Sequence, residues 1–153
     1  MNNKYKILVI EDEKNINNLV ATLLEANGYR AISAFDYKDG MMMYESYRPD
    51  LVILDLGLPD ADGTAFLREI RKDSYIPVII LSARADEREK VNALDMGAND
   101  YVTKPFGSAE LVARVRSALR SARHGSEMSS PDGRFEANGL VIDYGARRVF
   151  IDD

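Results

Sequence analysis

Several apolar runs stop abruptly at side chains that can do chemistry. Ile7 to Ile10 is followed by Glu11 and Asp12, Leu51 to Leu54 by Asp55, Val78 to Leu81 by Ser82, and Asp100 to Thr103 by Lys104. Three carboxylates in one shallow cleft repel one another, and the arrangement makes sense if a divalent cation lies among them. An all-oxygen donor set favours magnesium, manganese or calcium over zinc. The chemistry that fits is phosphoryl transfer to a carboxylate, with Asp55 as nucleophile forming an acyl phosphate. A cation held by Asp12 and Asp55 would neutralise one phosphoryl oxygen, Lys104 would hold another, and Ser82 could hydrogen-bond a third. The same positions suit a hydrolase with a phosphoaspartate intermediate. Single positions also have plain structural uses, and Asp12 could cap the helix that follows it. No Gly-rich phosphate loop is present, which argues against a nucleotide site.

These residues converge only if the runs that precede them lie side by side. Ile7–Ile10, Leu51–Leu54 and Val78–Leu81 are wholly apolar, too short for helices and rich in β-branched residues, as in strands buried on both faces. Ala31–Ala34 and Asp100–Thr103 are weaker strand candidates. Between them, residues recur at helical spacing. Ile16, Leu19, Val20, Leu23 and Leu24 precede Gly28, and Asp36 to Ser46 forms a second helix. Ala65, Phe66, Leu67 and Ile70 mark a third, Glu87 to Met96 a fourth, and Ala109 to Leu119 a fifth. Five strand–helix alternations predict an α/β protein with a parallel sheet between two helical layers. In such sheets the functional crevice lies beyond the carboxyl ends of the strands, where the polar set above begins.

Composition sets the outer bounds. The chain has 153 residues, 20 basic and 25 acidic side chains, a formal charge of -5 and no cysteine. Disulfides, thiolate metal sites and cysteine nucleophiles are excluded. No apolar run approaches a membrane span, and the first residues lack a signal-peptide pattern, so a cytoplasmic protein without membrane contact is expected. Residues 1–120 read as one domain. Residues 121–134, rich in Gly, Ser, Pro and charge, read as a linker, and residues 135–153 as the opening strands of a second domain.

Taken together, Glu11-Asp12, Asp55 before Leu56-Gly57-Leu58-Pro59-Asp60, Ser82-Ala83, Gly97-Ala98-Asn99-Asp100-Tyr101 and Lys104-Pro105-Phe106 resemble the receiver domain of bacterial two-component response regulators, over about Lys4 to Arg120. The resemblance implies the flavodoxin-like strand order 2-1-3-4-5. It implies Asp55 as phosphoacceptor and Mg2+ bound by Asp12, by Asp55, by the Gly57 backbone carbonyl and, mostly through water, by Glu11. It implies Ser82 and Lys104 as phosphate contacts, Ser82 and Tyr101 as the switch, and a cis Lys104-Pro105 bond. Such a module is a phosphoacceptor rather than a conventional enzyme. Side chains 57 and 84 bear on hydrolysis of the phosphate, and Gly57 and Arg84 imply slow self-dephosphorylation.

Arg84, Glu87, Lys90, Ala93, Leu94 and Asp95, with Lys104 to Arg120, resemble the OmpR/PhoB subfamily. This implies a sensor histidine kinase as partner, and a homodimer formed on phosphorylation through Lys90, Asp95, Asp100, Glu110 and Arg114. It also implies a C-terminal winged-helix domain, whose first strands residues 135–153 resemble. No recognition helix lies within the 153 residues, so promoter DNA is expected as a partner of the full-length protein only. Where many members have two acidic residues, this chain has Asn99-Asp100, which removes one interface ion pair. Met41-Met42-Met43 is expected to be partly buried filler, Tyr29, Tyr37, Tyr44 and Tyr47 partly buried packing residues, and His124 a solvated linker residue.

Overall fold

The computed structural model describes residues 4–128. Five strands, β1 (Lys6–Ile10), β2 (Arg30–Ala34), β3 (Leu51–Leu54), β4 (Val78–Ser82) and β5 (Asp100–Thr103), alternate with α1 (Lys14–Ala26), α2 (Tyr37–Tyr47), α3 (Gly63–Ile70), α4 (Glu87–Asp95) and α5 (Ser108–Met128). All neighbouring strands are parallel, in the order β2-β1-β3-β4-β5. This is the flavodoxin-like order expected from the sequence. The fifth helix runs further than Leu119, into the stretch read as a linker. Residues 135–153, read as the start of a second domain, lie outside the described residues, as does the side chain of His124.

The alternation of side chains along each strand divides the core in two. Leu8, Ile10, Val52, Leu54, Val78 and Ile80 face one side, where Phe66, Leu67 and Ile70 of α3 and Ala93 of α4 cover them. Ile7, Val9, Leu51, Ile53, Ile79 and Leu81 face the other, against Val20 and Leu24 of α1 and Leu111, Val115 and Leu119 of α5. Met41 and Met43 pack against the first core while Met42 is exposed, as the gap-filling reading of that run requires. The α1 pattern is less regular than its apolar residues suggest. Leu19 is 52% exposed, and Asn17 takes a fully buried place beside Val20 and Leu24.

Local chemistry fixes the helix starts. Asp36, Asp62 and Asp86 cap α2, α3 and α4 by accepting from the N–H groups of Asp39, Thr64 and Arg88. Helix α1 begins after Glu13 with no side-chain cap, so Asp12 is not a capping residue. The loop from Asp55 to Asp62 is bound on two sides. Asp60 accepts from the first N–H groups of α2, Tyr37 at 2.8 Å and Lys38 at 3.1 Å, and Gly57 and Asp62 form an antiparallel bridge.

Gly63 brings α3 directly onto the end of β3. A Cβ there would lie 2.5 Å from the Asp55 carbonyl oxygen and 2.8 Å from Leu56 Cα, both backbone atoms that cannot swing aside. Gly63→Ala is therefore expected to cost about 1–3 kcal/mol of stability. Gly40→Ala meets only side-chain atoms, those of Ile10, with Cδ1 at 2.7 Å, Cγ1 at 3.2 Å and Cγ2 at 3.3 Å, and should cost less than a clash with backbone. Urea denaturation of the two variants tests the order; an equal loss would show that the α3–β3 contact is not the tighter one.

Candidate functional site

The carboxyl ends of β1, β3, β4 and β5 bring Glu11, Asp12, Asp55, Ser82 and Lys104 to one edge of the sheet. Glu11 and Asp55 are buried, at 2% and 7% exposure, while Asp12 is exposed. One carboxylate oxygen from each of the three lies within 4.8 Å of those from the other two. Three hard oxygen donors, two fixed in the protein and one at the solvent edge, suit a divalent cation that keeps part of its shell open. Gly57, two residues beyond Asp55, is exposed, and its N–H donates to Asp55 Oδ1 at 3.3 Å.

Lys104 supplies the positive charge inside this cluster. Its Nζ lies 2.6 Å from Glu11 Oε1 and 3.6 Å from Asp55 Oδ2. Burial raises the Glu11 carboxyl above its ordinary range, and the neighbouring Asp55 adds to the rise against the bond from Lys104. Burial also opposes the Lys104 charge, but the hydrogen bond to Glu11 and the fields of Asp55 and Glu11 outweigh it and hold that amine above its usual value. Two carboxylates therefore share one ammonium. The Lys104-Pro105 bond beside it is cis, as expected.

The main chain behind the cluster is held by a residue that the sequence reading passed over. The Asn17 amide donates to the Glu11 and Ala34 carbonyls, each at 3.0 Å, and accepts from the Ser33 hydroxyl at 2.6 Å. Its signal was a polar residue on the same helical stripe as Val20 and Leu24. Ser82 is buried, and its Oγ accepts from the Arg84 N–H at 3.1 Å. The half-buried Tyr101 donates its hydroxyl to the Arg84 carbonyl at 2.7 Å, so both expected switch residues meet the same short β4–α4 segment.

The residues expected at a dimer interface lie on α4, β5 and α5, and partly satisfy one another within the chain. Arg114 donates to Asp100 at 2.9 Å and to Glu110 at 3.2 Å. Lys90 lies 6.0 Å from the Tyr101 ring centroid, and Asp95 is exposed at the end of α4. Val91 and Leu94 add exposed apolar surface to α4. Asn99 does internal work: its Oδ1 accepts from the Val78 N–H at 2.9 Å and from Arg71 Nη2 at 3.1 Å. Arg71 also donates to the Gly97 carbonyl, and burial pulls its pKa down to about 10.

Replacing Lys104 by Met leaves two buried carboxylates without their cation. The metal-free variant is expected to lose on the order of 3 kcal/mol at neutral pH. The Glu11 pKa then rises further, so the folded chain binds more protons than the unfolded chain between the ordinary and the raised value, and the deficit shrinks as pH falls through that window. Urea denaturation between about pH 4 and pH 8 checks this. A deficit constant across the range would count against a charge imbalance as its cause.

Comparison with known proteins agrees with this geometry. The response regulator receiver domain family matches residues 7–116. The KDP operon transcriptional regulatory protein KdpE of Escherichia coli (strain K12) is 46% identical over 143 residues, covering 94% of this chain and 62% of that protein. The transcriptional regulatory protein KdpE of Mycobacterium tuberculosis (strain ATCC 25618 / H37Rv) is 41% identical over 146 residues, covering 95% and 64%. The chain thus spans somewhat under two thirds of these curated relatives. Among solved structures, the receiver domain of the Francisella response regulator 1452 superposes with a TM-score of 0.74 at 35% identity, covering 78% of this chain and 99% of that one. The acidic cluster, the parallel sheet that assembles it and these matches together show that the chain belongs to the response regulator receiver domains of the OmpR/PhoB type, phosphoacceptor switches rather than catalytic enzymes.

Proposed function

We propose that Asp55 accepts a phosphoryl group from a sensor histidine kinase, with Mg2+ as cofactor, and that phosphorylation drives homodimerisation of a cytoplasmic transcription regulator. The observation that carries this reading is the cluster of Glu11, Asp12 and Asp55, with the Lys104 ammonium paired to Glu11 and Asp55. Asp12, Asp55, the Gly57 carbonyl and, through water, Glu11 would hold the cation, which supplies charge neutralisation at the phosphoryl oxygens. An Asp55 carboxylate oxygen forms the new O–P bond as the N–P bond of the phosphoimidazole breaks, and the imidazole nitrogen keeps the electron pair. Lys104 and the Ser82 hydroxyl receive the phosphoryl oxygens. A magnesium-dependent phosphatase would need a general acid near the leaving group, and Gly57 has no side chain to serve as one.

The target assignment rests on similarity. Leu56-Gly57-Leu58-Pro59-Asp60 and Ser82-Ala83-Arg84 look most like KdpE, whose two relatives above are named as transcriptional regulators. We place potassium-transport genes among the targets of the full-length protein, with promoter DNA as its partner. Among the described residues, no helix is long and apolar enough to cross a membrane.

Coupling from Asp55 to the α4-β5-α5 face would run through Ser82 and Tyr101. Both already bond to Arg84 backbone atoms, so a Ser82 hydroxyl drawn toward phosphate shifts the segment that the Tyr101 hydroxyl holds. Moving a two-state switch from 1:99 to 99:1 requires about 5.5 kcal/mol of differential stabilisation.

With Mg2+ and a small phosphodonor, intact-mass measurement should show one phosphoryl group on the chain, labile to hydroxylamine. Asp55→Asn should show none, and Asp12→Ala should lose the Mg2+-dependent reaction. Labelling of Asp55→Asn at the wild-type level would remove the central claim. For assembly, phosphorylated wild type should self-associate more tightly, with a smaller gain for Ser82→Ala and little for Glu110→Lys. Sedimentation of the three proteins with and without beryllofluoride decides; identical gains would rule out both the switch and the interface.

A further inference from the structure

Arg84 reaches further than its place in the β4–α4 loop suggests. Its Nη1 donates to Asp62 Oδ2 and to Glu89 Oε1, each at 3.2 Å. Asp62 ends the loop that carries Asp55, and Glu89 lies in the first turn of α4. A Cβ on Gly57 would lie 4.0 Å from Arg84 Nη2, so the guanidinium stands beside bare backbone two residues beyond Asp55. The Arg84 backbone meanwhile bonds to Ser82 and Tyr101. Burial works against the guanidinium charge, but Asp62 and Glu89 outweigh it and hold the group above its ordinary pKa. The cation therefore persists throughout the pH range in which the site operates.

Both ion pairs are substantially exposed, with side chains between 37% and 49% accessible. Such pairs are individually weak and exchange readily. A phosphoryl group on an aspartate is a stronger competitor, with concentrated negative charge and several oxygens that match the guanidinium fork. We propose that Asp62 and Glu89 hold Arg84 as a stored counter-ion, and that a phosphoryl group on Asp55 takes it from them. The guanidinium turns to the phosphoryl oxygens, and the first turn of α4 loses its tie to the phosphoacceptor loop. The proposal rests on Asp55 as the phosphoacceptor and adds a pair of competing carboxylates that set how favourable the phosphorylated state is.

The test is the affinity of the full chain for beryllofluoride with Mg2+, measured by calorimetry. The proteins compared are wild type, Asp55→Asn, Asp62→Asn, Glu89→Gln, Arg84→Ala and the double variant Asp62→Asn with Arg84→Ala. Asparagine preserves the α3 cap, so the first substitution removes charge without removing the cap. Loss of either competitor should tighten binding by roughly 2- to 5-fold, the range of one exposed ion pair. Arg84→Ala should weaken binding, and in its background Asp62→Asn should give no gain. Unchanged affinity in both single carboxylate variants, or a gain that survives Arg84→Ala, would overturn the exchange while leaving Asp55 as the acceptor. Equal binding by Asp55→Asn would instead overturn the acceptor assignment and the exchange with it.

Discussion

Two buried carboxylates that share one ammonium are the constraint on which the rest of the molecule depends. Carboxylates in contact with each other and with an apolar sheet are unfavourable, and proteins keep them when the field has a use. Glu11 and Asp55 can stand so close because β1 and β3 are adjacent and in register, Ile10 opposite Leu54. Lys104 reaches them from β5, at the far side of β4. The strand order, the crossovers and the two apolar cores all bear on keeping those ends together. Asn17 and Gly63 secure the same geometry from behind, one by bonding the Glu11 carbonyl and the other by leaving room for the Asp55 carbonyl.

The environment of the site also shows which elements a chemical event at Asp55 would reach first. Asp55 lies in a loop whose partners are elements rather than solvent: Asp60 binds α2, Asp62 begins α3 and pairs with Arg84, and Arg84 pairs with α4. Charge added at Asp55 would change the balance among weak polar contacts at the rim, while the apolar strands behind it would stay packed. A rigid sheet and a polar rim of exchangeable contacts divide the work between holding and responding.

Much of this was legible in the sequence because burial on both faces leaves a strong mark. Three four-residue apolar runs marked the central strands, and the polar residues at their ends marked the site. What escaped was whatever depends on partners distant in the chain. The apolar spacing of α1 suggested that Leu19 was buried, yet Asn17 takes that face, where its amide donates to the Glu11 and Ala34 carbonyls and accepts from the Ser33 hydroxyl. Asn99 read as a missing interface charge, whereas its oxygen serves the start of β4 and Arg71. Helix α5 outran its apolar stripe because helix propagation needs only tolerant residues once the first turns are fixed. Arg120, Ser121, Ala122 and Arg123 oppose it little.

Surface loops ordinarily accept added or deleted residues, since few of their atoms are committed. The segment from Asp55 to Asp62 is an exception. Its bridge between Gly57 and Asp62, its two bonds from Asp60 to the start of α2, and its cap at α3 fix the length of the path as well as its shape. One extra residue would put Asp60 and Asp62 out of phase with the helix starts they serve. The segment can therefore change side-chain identity only at constant length, and added or deleted residues are better accommodated elsewhere on the surface.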